Sequence, residues 1–336
     1  MTNSLDCRLL KQLFSIHSPS GKEDRMIKFL VSYLSKIPGV QLGKDTYGNL
    51  YAWKGEAESY PCIVAHLDQV QRNHPKDFKA IETRDIIFGF SPSNHSFCGL
   101  GADDKNGILI CLEALKKYDV MKVAFFREEE TGCKGSSNCL MTFFDNCRYV
   151  LQCDRRGNSD LITNIGFSDL CSEKFVQDID PERWGYKEEQ GLMTDVETLK
   201  EKGLAVSAVN ISCGYYNPHT DEEVTVKKDL LKCWRLVQHI LDDCNDTYPH
   251  EVGENSYFNA YDEWEVEEEI HALLNQDPML TASDLYDMYQ TNYPRLTIDD
   301  FERILQEHQD YYCYDDEPFN PPTNNGKEEN DTEILA

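Results

Sequence analysis

Short apolar runs alternate with helix-period segments along the first 245 residues, and three of these runs stop on a histidine or a carboxylate. Residues 61–65 run into His66, residues 122–127 into Glu128-Glu129-Glu130, and residues 149–153 into Asp154. Further apolar runs at 50–53 and 204–211 read as strands. Between them, residues 5–16, 106–117, 135–144 and 226–241 read as helices. So does the segment after Ser20, where Met26, Phe29, Leu30, Tyr33 and Leu34 recur on one helical face and Ser20 and Glu23 have capping-box spacing. Short continuous apolar strands alternating with helices predict an α/β fold. The expectation is a three-layer sandwich around a mostly parallel mixed sheet. Functional groups in such sheets collect beyond the carboxyl ends of the strands, which is where the three polar stops fall.

Charge divides the chain. Of a formal net charge of −27, the segment from residue 246 to the end holds 24 acidic against 3 basic residues. The acidity belongs to a tail region, and the front of the chain has the balance of an ordinary soluble domain. A charge of this sign repels nucleic acid and anionic membrane surfaces, so neither is an expected partner. No apolar run approaches the length of a membrane span. The first residues lack a basic segment followed by an apolar stretch. The 13 cysteines are odd in number, contain no CxxC pair and sit mostly in apolar runs, which reads as buried small hydrophobes. The chain is therefore expected in the cytoplasm. The domains read as residues 1–244, a small acidic helical extension at 245–312 and a disordered acidic tail at 313–336. Helices are expected at 261–274, 282–289 and 298–307.

Each polar cluster taken alone has a plain explanation. His66 and Asp68 point to one side of an extended segment, as a metal-binding histidine and the carboxylate that orients it would, but an isolated HxD is commonly incidental. Asp103 and Asp104, inside Gly99-Leu100-Gly101-Ala102-Asp103-Asp104-Lys105-Asn106-Gly107, could cap the helix that follows. Three glycines in nine residues nevertheless suggest a close backbone approach. Glu128 to Glu130 could be a solvated turn, yet three carboxylates after a buried strand call for a compensating cation. Asp154 ends an apolar strand, where a charge is costly unless paired. His219, in Asn217-Pro218-His219-Thr220-Asp221-Glu222, is a lone loop histidine. Together these are mixed histidine and carboxylate donors in strand-end loops, a set that suits zinc and, less selectively, manganese or cobalt.

The order of these motifs resembles the co-catalytic di-zinc exopeptidases: peptidase T, the carboxypeptidase G group and the related glutamyl aminopeptidases. HxD at His66, GxGADDKxG around Asp103, EExGxxGS from Glu129, a strand-end Asp154 and a late His219 occur in that order, over residues 5–243. The resemblance implies that Asp103 bridges two divalent ions, expected to be zinc. His66 and Asp154 would complete one ion, Glu130 and His219 the other. Glu129 would be the general base, Asp68 would orient His66, and the Asp103–Asp104 peptide would be cis. The implied activity is hydrolysis of short peptides by an aminopeptidase. A deacylase or carboxypeptidase-like amidohydrolase would use the same ligands, and an inactive scaffold would keep the same fold.

The chain departs from the family pattern in one respect. Only 64 residues separate Asp154 from His219, and only 34 separate Asp68 from Asp103, so neither family position for an inserted lid domain is filled. A lidless catalytic domain is expected, without the family's lid dimer. Two features are left open. Tyr215 or Tyr216 would either supply an oxyanion group near His219 or simply pack. Thr194-Asp195 would either line the specificity pocket or cap a helix.

Overall fold

The computed structural model describes residues 5–165, 168–251, 270, 273–274, 280–289, 298 and 301–305. The strands are β1 (Val40–Lys44), β2 (Leu50–Lys54), β3 (Tyr60–His66), β4 (Lys79–Glu82), β5 (Ile86–Ser91), β6 (Ser96–Phe97) and β7 (Met121–Phe126). They continue as β8 (Cys147–Arg155), β9 (Asp160–Ile165), β10 (Ser168–Asp169), β11 (Lys187–Gly191), β12 (Ala208–Ser212), β13 (Tyr215–Tyr216) and β14 (Val224–Val226). The helices are α1 (Cys7–Phe14), α2 (Asp24–Leu34), α3 (Ala102–Lys117), α4 (Lys134–Ser137), α5 (Glu173–Ile179), α6 (Asp195–Glu201), α7 (Lys227–Asp243) and α8 (Ala282–Tyr289).

The main sheet has the order β1-β2-β7-β3-β8-β12-β9-β10, with β11 also paired to β9. Its centre, β7-β3-β8-β12, is parallel throughout, while β1, β2, β9 and β10 pair antiparallel around it. Every residue of β3 and β7 is buried, as strands covered on both faces require. The two-residue period divides their side chains between two cores. Ile63, Ala65, Val123 and Phe125 face one that also holds Leu13 of α1, Leu30 of α2, Leu109 of α3 and Val237 of α7. Cys62, Val64, Ala124 and Phe126 face the other, with Val196 and Leu199 of α6. The result is the expected sandwich: helices, a mostly parallel sheet, helices.

Several local readings change. The Ser20–Glu23 capping box does not form: α2 has no side-chain cap, because the Ser20 hydroxyl donates to Asp68 and Glu23 accepts from Arg127 and from the Gly21 amide. The helix expected over 135–144 is only α4 and a 3-10 turn at Met141–Phe144, since the Gly135 amide is taken by the Arg127 carbonyl. Of the strand expected at 204–211, only the part from Ala208 is regular. Residues 205–207 pair instead with 248–250, and the buried Lys200 ammonium donates to the carbonyls of Leu204, Val206 and His250.

A second sheet was not foreseen. Strands β13, β14, β5 and β4 pair antiparallel in that order, with β6 on the other edge of β5. It draws β4–β6 from the segment between Asp68 and Asp103, and its β13–β14 hairpin carries residues 217–223 at its tip.

The chain divides into two compact units, Met1–Tyr257 and Phe258–Ala336. In the second, α8 matches the helix expected there, and Ile270, Leu274, Leu285, Phe301 and Ile304 form a small apolar core. Of the helices expected at 261–274 and 298–307, residues 270, 273–274, 298 and 301–305 are helical, and the rest lie outside the described residues, as does the expected disordered tail at 313–336. Among the described residues no helix is long and apolar enough to cross a membrane. All described cysteines are free, and all but Cys7 are buried.

Leu109 is fully buried where α3 meets the sheet. Leu109→Ala is expected to lower the unfolding free energy by about 2–5 kcal/mol, read from urea denaturation followed by circular dichroism.

Candidate metal centre

Because β7, β3, β8 and β12 run in one direction, their carboxyl ends open on the same edge of the sheet. Register sets the heights. Val64 is level with Ala124 and with Gln152, and Gln152 with Asn210, so His66 and Asp154, each two residues further on, emerge side by side. Asn210 fixes Asp154 from the neighbouring strand: its side-chain oxygen accepts the Asp154 amide at 2.9 Å, and its amide nitrogen donates to the Asp154 carbonyl at 3.0 Å. The loop after β7 turns sharply at Glu128, whose φ is +53°, and delivers Glu129 and Glu130 in a 3-10 turn. The Asp68 carboxylate accepts both of their amides, at 3.0 and 3.3 Å, together with the Ser20 hydroxyl at 2.7 Å.

Asp103 lies at the start of α3, where the backbone leaves helical geometry at Asp103 and Asp104 and the peptide between them is cis. Asp104 caps the regular part of the helix beyond this kink, its Oδ1 accepting the Gly107 amide at 3.0 Å. Gly101, ahead of it at φ +63°, is where a Cβ would meet Gln69 and Lys105 at 2.9 Å. A Cβ at Gly107 would lie 2.3 Å from the Asp104 carboxylate. Gly101 and Gly107 are therefore favoured by the close approach of Gln69, Lys105 and Asp104. Asp104 points inward and accepts the amides of His66 and Gly107. Glu223, buried at the foot of β14, accepts the amides of Gly101 at 2.6 Å and Asp103 at 3.1 Å.

These elements bring every predicted site residue together. Asp103 is central: its Oδ1 lies 3.0 Å from His66 Nε2 and its Oδ2 lies 3.4 Å from His219 Nε2. Around His66 Nε2 are also Asp154 Oδ1 at 3.6 Å and Glu129 Oε2 at 3.8 Å, while its Nδ1 faces Asp68 Oδ1 at 3.4 Å. His219 Nε2 lies 3.1 Å from Glu130 Oε2. His66 is fully buried, whereas the His219 side chain is 52% exposed on the tip of the β13–β14 hairpin.

So many buried acids cannot all be ionised without positive charge. Burial pushes Asp154 well above the usual carboxylate range, and Asp103 beside it adds to the shift. Burial does the same to Glu129, and the Asp154 charge reinforces it against the opposing pull of His66. Glu130 is also raised by burial, although its bond to His219 works the other way. His66 shows the complementary response. Burial opposes its charged form, but the Asp154 and Glu129 carboxylates outweigh that and hold its pKa well above the ordinary value. His219 is pushed up to about 10 by its bonds to Asp103 and Glu130.

The donor set fits a divalent cation. Ligand atoms of His66, Asp103 and Glu130 lie within 4.8 Å of one another, as do those of His66, Asp104 and Asp154. Asp104 already accepts two backbone amides, so Asp103 is the better-placed donor. Glu130 Oε1 is buried and accepts no hydrogen bond, an unsatisfied acceptor of the kind that a cation completes.

Tyr215 is buried and donates to Asp154 Oδ1 at 3.4 Å, whereas Tyr216 bonds Asp229 away from the cluster. Thr194 neither lines the pocket nor caps α6 with its side chain: its hydroxyl donates to Gln152, and residues 190–193 form the cavity wall instead. Asn210 and Glu223 escaped the sequence reading because each is an ordinary polar residue whose role depends on a neighbouring strand.

No family model matches the chain, and no curated protein matches it in sequence. Solved structures do match in fold. An aminopeptidase PepT from Bacillus cereus superposes with a TM-score of 0.56 at 14% identity, over 70% of this chain and 97% of that one. A tripeptidase from Staphylococcus aureus gives 0.57 at 14% identity, over 70% and 96%. An aminopeptidase from the archaeon Desulfurococcus kamchatkensis gives 0.54 at 19% identity, over 70% and 93%. The chain shares the fold of these peptidases.

Asp68 supports the cluster from behind, so Asp68→Ala strands the amides of Glu129 and Glu130. With chelator present throughout, urea unfolding of this variant is expected to show a loss on the order of 3 kcal/mol. An unchanged midpoint would mean that the loop does not depend on these bonds.

Proposed function

We propose that this chain is a two-metal hydrolase of peptide bonds, acting as an aminopeptidase on short peptides. The observation that carries the reading is the Asp103 carboxylate, which turns one oxygen to His66 and the other to His219. In this reading Asp103 is shared between two cations, expected to be zinc. His66 and Asp154 would hold one, and Glu130 and His219 would hold the other. The family likeness in fold and the order of the motifs support the same assignment.

Bound there, two divalent cations supply the Lewis acidity that makes a water acidic and a scissile carbonyl electrophilic. The rest of the work falls to the chain. Glu129 sits 3.8 Å from His66 Nε2, bonds no backbone group through its carboxylate and lines the open cavity, so it takes the proton from water and returns it to the leaving amine. Burial raises its proton affinity, which suits a group that must hold a proton between two steps. Asp68 orients His66 and fixes the two glutamate amides, keeping base and ligands in register.

Metal content is measured first, then turnover of free-amine peptides and their N-acylated counterparts. About two zinc equivalents per chain are expected, with cleavage of the free-amine peptides only. Glu129→Ala should keep the metal and lower kcat by roughly 100- to 10,000-fold. Asp103→Ala should lose metal and activity together. Cleavage of the acylated set alone would move the reading to a deacylase or carboxypeptidase-like enzyme. Metal-free protein with no turnover on added zinc would leave an inactive scaffold.

A further inference from the structure

The cluster opens into a cavity of about 730 Å³ whose floor is formed by Asp103, Glu129, Glu130, Asp154 and His219. Besides His219, the basic residues among its described lining are Arg155 and Arg156, and the lining also includes Leu192 and Met193. Arg155 is held by Asp160, with Nε 3.2 Å from Oδ2. Arg156 is different. It is exposed, and among the described residues no carboxylate pairs with its guanidinium, in a chain with 60 acidic residues and 33 basic ones. Leu192 and Met193 are 79% and 43% exposed. The cavity thus offers a cation and an apolar surface that the fold does not use.

We propose, building on the peptidase reading above, that Arg156 is a specificity residue that binds a carboxylate of the peptide substrate, with Leu192 and Met193 receiving an apolar side chain. A guanidinium is the side chain best shaped for bidentate recognition of a carboxylate. Arg156 is two residues beyond Asp154, a separation of at most about 7 Å between their Cα atoms, and both line the same cavity. The carboxylate read there belongs to a residue close to the scissile bond, as either the chain terminus of a very short peptide or an acidic side chain. A smaller cavity of about 450 Å³ that also touches Glu130 carries cations, Lys22 and Arg72. It touches only Glu130 of the cluster, whereas the larger cavity touches both histidine-bearing halves through Asp103 and holds Glu129, so the larger one takes the reacting end.

The test is steady-state kinetics of the zinc-loaded full chain on tripeptides in matched pairs: free against amidated carboxyl terminus, and Asp against Asn as an internal residue. For Arg156→Gln, KM is expected to rise roughly 10- to 100-fold on whichever member carries the recognised carboxylate. Its kcat should stay within about threefold, because the contact is made equally in ground and transition states. The amidated or Asn partner should be unaffected, and the pair that responds identifies the source of the carboxylate. Arg156→Lys should fall between wild type and Arg156→Gln, since it keeps the charge and loses the fork. Unchanged KM on every peptide, or an effect seen for Arg72→Gln and not for Arg156→Gln, would overturn the inference while leaving the hydrolase intact. Absence of turnover by the wild type would instead remove the peptidase reading on which it rests.

Discussion

Crowded negative charge at the carboxyl edge of a parallel sheet is the constraint on which this structure turns. Three further carboxylates and two histidines gather around Asp103, and burial makes each ionised acid costly without a counter-charge. The fold tolerates the cluster because almost every neighbouring polar group is committed to holding it. Asp68 takes two amides and a hydroxyl, Asp104 two amides, Glu223 two amides, and Asn210 clamps the strand beside Asp154. Among the described residues of the cluster, Glu130 Oε1 and His66 Nδ1 are left without a hydrogen bond, and the buried Glu130 oxygen points to the same counter-charge as the charge imbalance does.

Position follows from strand register. Parallel neighbours advance together, so residues at equal heights past the last paired row come out side by side. That is how His66 and Asp154, separated by more than eighty residues of sequence, become adjacent side chains without any dedicated loop to join them. The two apolar cores lock the register, since a one-residue slip would exchange the faces of β3 and β7 between them.

How much of this could be read from the sequence depended on whether a feature was local. His66, Asp154 and the Glu128–Glu130 run were legible because each interrupts an apolar strand, and strand ends in such sheets share an edge. His219 was not legible in that way: its loop joins two very short strands whose sheet partners beyond their own hairpin lie more than a hundred residues earlier, and only the order of motifs pointed to it. The second sheet could have been suspected from Ile86-Ile87-Phe88-Gly89-Phe90, a β-rich run bounded by polar turns. The capping box at Ser20 and Glu23 failed for a physical reason. A residue pair with the right spacing was claimed by stronger partners, a buried carboxylate for Ser20 and an arginine for Glu23. Local spacing states what a segment would do alone, and the active edge of a sheet is where that independence ends.

The two histidines come from different sheets. His66 ends a central strand of the main sheet, while His219 rides on a hairpin of the small antiparallel one, and Asp103 reaches both. A cation bound beside Asp103 would therefore tie the hairpin to the main sheet. Binding would then couple the folding of the hairpin to that of the main sheet, so the chemistry proposed for the site and the cohesion of the domain would draw on the same few bonds.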